Sequence, residues 1–84
     1  MIRVLYFARF RELLASDGET FEYSDDINTI AALMQQLAAR GERWADVFGS
    51  DLRVMVALNQ EMTQPDTRLK DGDEVAFFPP VTGG

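Results

Sequence analysis

The sequence predicts an α+β domain of two layers, with one main helix on one face of a mixed sheet of four to five strands. Three observations predict it. The chain has 84 residues, 46% of them hydrophobic and 26% charged, which suits a single folded domain. Segments rich in β-branched and aromatic residues open and close the chain, and one segment between them repeats its apolar residues at helical spacing. Their order is strand, strand, helix, then two or three strands.

Ile2-Arg3-Val4-Leu5-Tyr6-Phe7 reads as the first strand, apolar on both faces. Phe10, Leu13 and Leu14 have the spacing of a short helical turn before Asp17-Gly18. Thr20-Phe21-Glu22-Tyr23 alternates and reads as a second strand, paired with the first across a long connection. Asn28 or Thr29 offers an N-cap to a helix running to about Arg40. Its apolar positions Ile30, Leu33, Met34, Leu37 and Ala38 form one face. Gly41 is the expected residue just past the helix end, Arg40 complements the negative end of the dipole, and Asp25 and Asp26 suit the positive end. Trp44, Val47 and Phe48 read as a loosely ordered apolar segment holding at most a short turn. Val54 to Leu58 is a strand ended by Asn59-Gln60, Glu61 to Gln64 a short return strand, and Lys70 to Asp73 a tight turn. Glu74-Val75-Ala76-Phe77-Phe78 is the last strand, stopped by Pro79-Pro80 because proline cannot donate to the ladder. If the first and last strands are adjacent and parallel, the arrangement is the ubiquitin-like β-grasp. The boundaries are then a folded domain over 1–78 and an extended tail over 79–84.

Composition removes most chemistry. There is no cysteine and no histidine, hence no disulfide, no thiolate or imidazole metal ligand, and no imidazole general base. Eight basic residues against fourteen acidic ones leave a net charge of −6, a poor match for nucleic acid or an anionic membrane and a better one for a basic partner surface. No apolar run approaches the ~20 residues that span a bilayer, and no signal peptide precedes the first strand, so the expectation is a soluble, cytoplasmic protein. Asp71 and Asp73 bracket Gly72 without further ligands at calcium-loop spacing, so no metal site is expected. Lys70, the one lysine, reads as a solvated turn residue.

The charge is uneven. Residues 1–11 hold Arg3, Arg9 and Arg11 and no acid, whereas residues 12–26 hold six acids and no base. The pattern reads as a strand rim beside a solvated hairpin, or functionally as Arg9 and Arg11 flanking a docking surface. Strand alternation supplies that surface: with Ile2, Val4, Tyr6, Val54, Val56, Leu58, Val75 and Phe77 turned to the helix, Leu5, Phe7, Met55, Ala57 and Phe78 turn away, and Met62 can join them. An uncovered apolar patch of this kind marks a protein interface. Beyond it, Pro79, Pro80, Val81, Thr82, Gly83 and Gly84 reach roughly 20 Å when extended, more than the ~12 Å radius of gyration expected of the domain. Prolines favour an extended path and glycines add no side chain, so the tail suits a narrow channel in another protein.

Lys70-Asp71-Gly72-Asp73-Glu74-Val75-Ala76-Phe77-Phe78-Pro79-Pro80-Val81-Thr82-Gly83-Gly84 closely resembles the C-terminus of the molybdopterin synthase small-subunit (MoaD) family, among the ubiquitin-like sulfur carriers. Val4-Leu5-Tyr6-Phe7-Ala8, Arg11-Glu12-Leu13 and Ala57-Leu58-Asn59-Gln60 are also similar to it. The segment from Ala39 to Asp51 resembles it least. The resemblance implies that an activating enzyme related to ubiquitin activators joins AMP from ATP to Gly84, and that sulfur from a donor protein converts it to a thiocarboxylate. The tail then enters the large subunit, where sulfur passes to cyclic pyranopterin monophosphate in molybdenum cofactor biosynthesis. It further implies a heterotetramer, no bound cofactor, no catalysis by the isolated chain, and an apolar docking face of Phe7, Met62 and Phe78, to which the charge reading adds Arg11 as an interface residue. Alternatives are a sulfur carrier for thiamine or tRNA thiolation, a ubiquitin-like modifier joined to lysines through Gly84, and an interaction module whose tail has no chemistry.

Overall fold

The computed structural model describes residues 1–49 and 53–80. Strand β1 (Ile2–Tyr6) leads into helix α1 (Arg9–Leu14), strand β2 (Gly18–Phe21), a 3-10 turn (Asp25–Ile27), helix α2 (Ile30–Ala38), helix α3 (Glu42–Phe48) and strands β3 (Met55–Leu58), β4 (Glu61–Met62) and β5 (Glu74–Phe78). The sheet order is β2-β1-β5-β3-β4. β1 and β5 are parallel, with Val4 opposite Val75 and Tyr6 opposite Phe77. The other neighbours are antiparallel. The first and last strands therefore lie side by side in the sense the β-grasp requires, and the sheet has five strands.

The core follows from the period of two. Ile2, Val4 and Tyr6 of β1, Val56 of β3, and Val75 and Phe77 of β5 are buried against Phe10, Leu14, Ile30, Leu33, Leu37 and Val47 of the helices. Thr29 caps α2, its Oγ1 accepting from the Ala32 N–H at 3.1 Å. Asn59 and Gln60, at φ 51° and 71°, form the two-residue turn between β3 and β4; positive φ at both positions matches the strand twist. Among the described residues no helix is long and apolar enough to cross a membrane.

Several boundaries differ from the sequence expectations. The second strand starts at Gly18, not Thr20, because Gly18 pairs with Leu5. A Cβ there would lie 2.8 Å from the Val4 carbonyl oxygen, so only glycine lets the two strands close. Asp25 and Asp26 form the 3-10 turn capped by Ser24, and the first turn of α2 contains no acid. The helix ends at Ala38, with Ala39 as C-cap. Gly41, at φ 79°, lies two residues past that cap; its N–H donates to the Ala38 carbonyl at 3.0 Å, and it also serves as the N-cap of the next helix. The segment around Trp44 is a regular helix rather than a loose one. Trp44, Val47 and Phe48 share one face of α3, and the Phe48 ring meets Phe77 edge-on at 5.0 Å.

Candidate functional site

The three helices pack on one face of the sheet, and the strand register assembles the other. Paired residues project to the same side, so Leu5, Ala76, Ala57 and Met62 form a row across β1, β5, β3 and β4. Met55 lies opposite Phe78, and Phe7 joins them where its N–H donates to the Phe77 carbonyl at 3.1 Å. Phe7 is 45% exposed and Met62 57%, while Leu5, Met55, Ala76 and Phe78 are half-buried. Large apolar side chains left this open are characteristic of a binding surface. Ala76, not singled out by sequence reasoning, completes the row as a small flat centre.

This face sits at one end of the molecule. The parallel pairing brings the C-terminal ends of β1 and β5 together, so Phe7 lies beside Phe78 and Pro79 follows at once. Pro79 and Pro80 are half-buried and outside any strand. Val81, Thr82, Gly83 and Gly84 lie outside the described residues. Arg11 is exposed on α1, which begins one turn after β1 at the same end and contacts β5. Phe7 and Phe78 thus lie together at the tail's origin, Arg11 is exposed on the helix at the same end, and Met62 lies across the sheet at the far side of the apolar row.

Ala8 makes the turn between β1 and α1. Its φ of 55° and ψ of −131° belong to the first central position of a type II′ turn, where glycine is usual. The Phe10 N–H closes that turn on the Phe7 carbonyl at 3.2 Å. The strained backbone is therefore at the residue that follows Phe7, a feature no spacing rule reports.

A model of the ThiS family matches residues 4–84. The chain belongs to the ThiS family. A relative from Escherichia coli (strain K12), the molybdopterin synthase sulfur carrier subunit, is 49% identical over 84 residues and covers 100% of both chains. Among solved structures, the protein–protein complex of subunits 1 and 2 of molybdopterin-converting factor from Helicobacter pylori matches with a TM-score of 0.66 and 25% identity, over 99% of this chain and 97% of that one. The H. volcanii small archaeal modifier protein 1 matches with a TM-score of 0.75 and 26% identity, over 95% and 97%. The likeness read from the last fifteen residues thus extends over the whole chain, and the fold is the ubiquitin-like β-grasp.

In this ThiS-family chain a second cluster, unforeseen in the sequence, lies behind the apolar face. Arg40 donates to both oxygens of Glu19, Nη1 to Oε2 at 2.9 Å and Nη2 to Oε1 at 2.7 Å. The Tyr6 hydroxyl donates to Glu19 Oε2 at 2.7 Å. The guanidinium lies over Trp44, 4.4 Å from the ring centroid. Burial pushes the Glu19 carboxyl up, but the hydrogen bonds from Arg40 and Tyr6 outweigh it and hold the group below its ordinary range. Burial, reinforced by Glu19, pushes the Tyr6 phenol well above its ordinary value. Arg40 was expected to serve the end of its helix; instead it ties that end to β2 and to α3. Glu19 and Arg40 are 21 residues apart, so no local pattern reveals them.

Asp71 and Asp73 are engaged otherwise than as a metal pair. Asp71 accepts from the Met1 ammonium. Asp73, 7% exposed, accepts from Asn59 Nδ2 at 3.1 Å and from the Lys70 N–H at 2.8 Å. Asn59 Oδ1 in turn accepts from the Glu74 N–H. The Asn59 shared with the family motif thus joins two turns at the end of the molecule opposite the tail.

Proposed function

We propose that the chain is the sulfur-carrier small subunit of molybdopterin synthase. The observation that carries this reading is the meeting, at one end of the sheet, of the uncovered Phe7–Phe78 face and the origin of a tail ending in Gly-Gly. The full-length likeness to the Escherichia coli sulfur carrier subunit supports it.

The chemistry belongs to the tail. The Gly84 carboxylate attacks the α-phosphorus of ATP in an activating enzyme, pyrophosphate leaves, and an acyl adenylate forms. A persulfide on a donor protein then attacks the carbonyl carbon and AMP departs to leave an acyl disulfide, whose S–S bond is cleaved by a thiol reductant to give the terminal thiocarboxylate and the donor's free thiol. The apolar face docks on the large subunit, Pro79, Pro80, Val81, Thr82 and Gly83 thread its channel, and the sulfur passes to cyclic pyranopterin monophosphate. A terminal carboxyl group needs neither cysteine nor histidine to carry sulfur, which suits the composition. The chain supplies the reacting group while the partner supplies acid–base catalysis, so it is not an enzyme by itself. Phe7, Met62 and Phe78 anchor the interface, Arg11 flanks it, and two carriers join two large subunits in the cytoplasm.

The test is intact mass after incubation with ATP, the activating enzyme and a sulfur donor. The expected gain equals replacement of one oxygen by sulfur, localised to the peptide containing Gly84. No gain with an enzyme active on another carrier overturns the reading. The likeness to small archaeal modifier protein 1 favours a second reading, a protein modifier, for which the mark is a ladder of isopeptide conjugates through Gly84 in cell extract.

A further inference from the structure

The sheet register sorts the charges by end. At the tail end, where β1 and β5 finish and β2 and β3 begin, Arg9 and Arg11 stand on α1 and Arg53 precedes Met55; all three are exposed. The acids on that side are Glu12 of α1, Asp17 before β2, and Glu42 and Asp46 of α3, which packs on α1 and also carries Arg43. At the opposite end lie Glu22 after β2, Glu61 at the start of β4, Asp71 and Asp73 in the last turn, and Glu74 opposite Arg3. Asp25 and Asp26 follow on the same side, where the Leu69 N–H returns to the Asn28 carbonyl at 2.9 Å, one residue before Lys70. Helix α2 contains no charged residue, Glu19 is neutralised by Arg40, and the formal charges of Asp66 and Arg68 cancel. The far end therefore carries a large excess of acid, whereas at the tail end the arginines and acids balance, Asp51 lying outside the described residues; relative to the far end the rim is the less acidic side, and its exposed cations are Arg9, Arg11 and Arg53.

We infer that this cationic rim selects partners whose tail-accepting surface is edged by carboxylates, and that it turns the carrier tail-first during approach. The inference rests on the sulfur-carrier reading and gives the partner surface its charge. It reverses the expectation from net charge alone, which favours a basic partner: the acids that set the net charge face away from the docking end. Two exposed arginines on one short helix and a third on another element, beside apolar residues that must desolvate, are complemented by carboxylates and opposed by further cations. A dipole of this sense orients the molecule at separations beyond contact, raising the association rate more than it slows dissociation.

The experiment measures association with the cognate molybdopterin synthase large subunit by stopped flow or surface-based kinetics. It compares the full chain with Arg9→Glu/Arg11→Glu and, separately, Arg53→Glu. The second variant lies on another element, so disturbance of α1 cannot account for agreement between them. Glu22→Lys/Asp25→Lys, at the opposite end, is the control. At low ionic strength the double reversal is expected to slow association at least tenfold and Arg53→Glu severalfold, with little change in dissociation. The differences should fade at about 0.5 M salt, where screening acts within a few ångströms, and the control should associate no more slowly than the unaltered chain. Unchanged or faster association of both reversal variants overturns the inference and leaves the carrier reading intact. Failure of the unaltered chain to bind the large subunit overturns the carrier reading, and the inference with it.

Discussion

At Ala8 the backbone occupies a conformation that costs a residue bearing a Cβ of order 1–3 kcal/mol. Glycine adopts it freely, although it also loosens the unfolded chain by several tenths of a kcal/mol. Ala8→Gly is therefore expected to stabilise the fold by about 1 kcal/mol, seen as a higher midpoint in urea denaturation; an unchanged or lower midpoint shows that the turn is not strained. The neighbouring anchor behaves differently. Phe78 lies on the outer face of β5, on the side opposite the buried Val75 and Phe77. Phe78→Ala should leave the core unaltered and weaken large-subunit binding by more than about 1 kcal/mol. Equal dissociation constants for the two proteins, measured calorimetrically, would remove Phe78 from the interface.

Among the elements, α3 is held in part through a polar link in neighbouring segments. Its aromatic face packs on Tyr6 and Phe77, and Trp44 is covered by the Arg40 guanidinium that Glu19 holds. Glu19→Gln removes the paired acceptor and leaves Arg40 half-satisfied. The expected loss is on the order of 1 kcal/mol, modest because the pair is partly solvated. Faster amide exchange should appear first in Glu42–Phe48, and uniform protection of α3 in the variant would refute the link. The same carboxyl sets an acid limit. Its folded value lies below its ordinary one, so its contribution is present above about pH 4.3 and is lost as pH falls through the folded value. Glu19→Gln should flatten that part of the stability profile. An unaltered acid limb in the variant would mean that other carboxylates set it. Tyr6, raised in the fold, acts at the other extreme: it costs stability as pH rises above about 10, where the unfolded phenol ionises. This is also where sequence reasoning stopped. The period of two placed Leu5, Phe7 and Phe78 on the outer face because strand alternation is local. The long helix showed itself through its apolar spacing and cap. The regularity of α3 did not, since seven residues give a weak period and the contacts that hold it come from Glu19, Tyr6 and Phe77 in three other segments. Ala8 and Gly18 were equally hidden, Ala8 because the turn into α1 sets its conformation and Gly18 because a neighbouring strand closes on it.

For the molecule as a whole, the buried core among the described residues is drawn from positions between Ile2 and Phe77, so folding and tail chemistry are expected to be separable. The sheet closes when Arg3–Tyr6 pairs with Glu74–Phe77 and Met55–Leu58 pairs with Val75–Phe78; neither register includes a residue beyond Phe78. The last glycine has no side chain to bury, and a chain end contributes little to global stability unless it is tied down. Deleting Gly84 should leave the thermal midpoint unchanged while abolishing adenylation and sulfur loading, because Gly83 then ends the chain one residue, roughly 3.5 Å, short of the activating site. Large-subunit binding should persist, since the apolar face and its cationic rim remain. The decisive comparison sets the thermal midpoint, the mass gain on loading and the large-subunit dissociation constant side by side for the full and shortened chains. Loading of the shortened chain at the original rate would remove Gly84 from the chemistry. A lowered midpoint would mean that the tail packs against the domain and that folding and function are coupled through it.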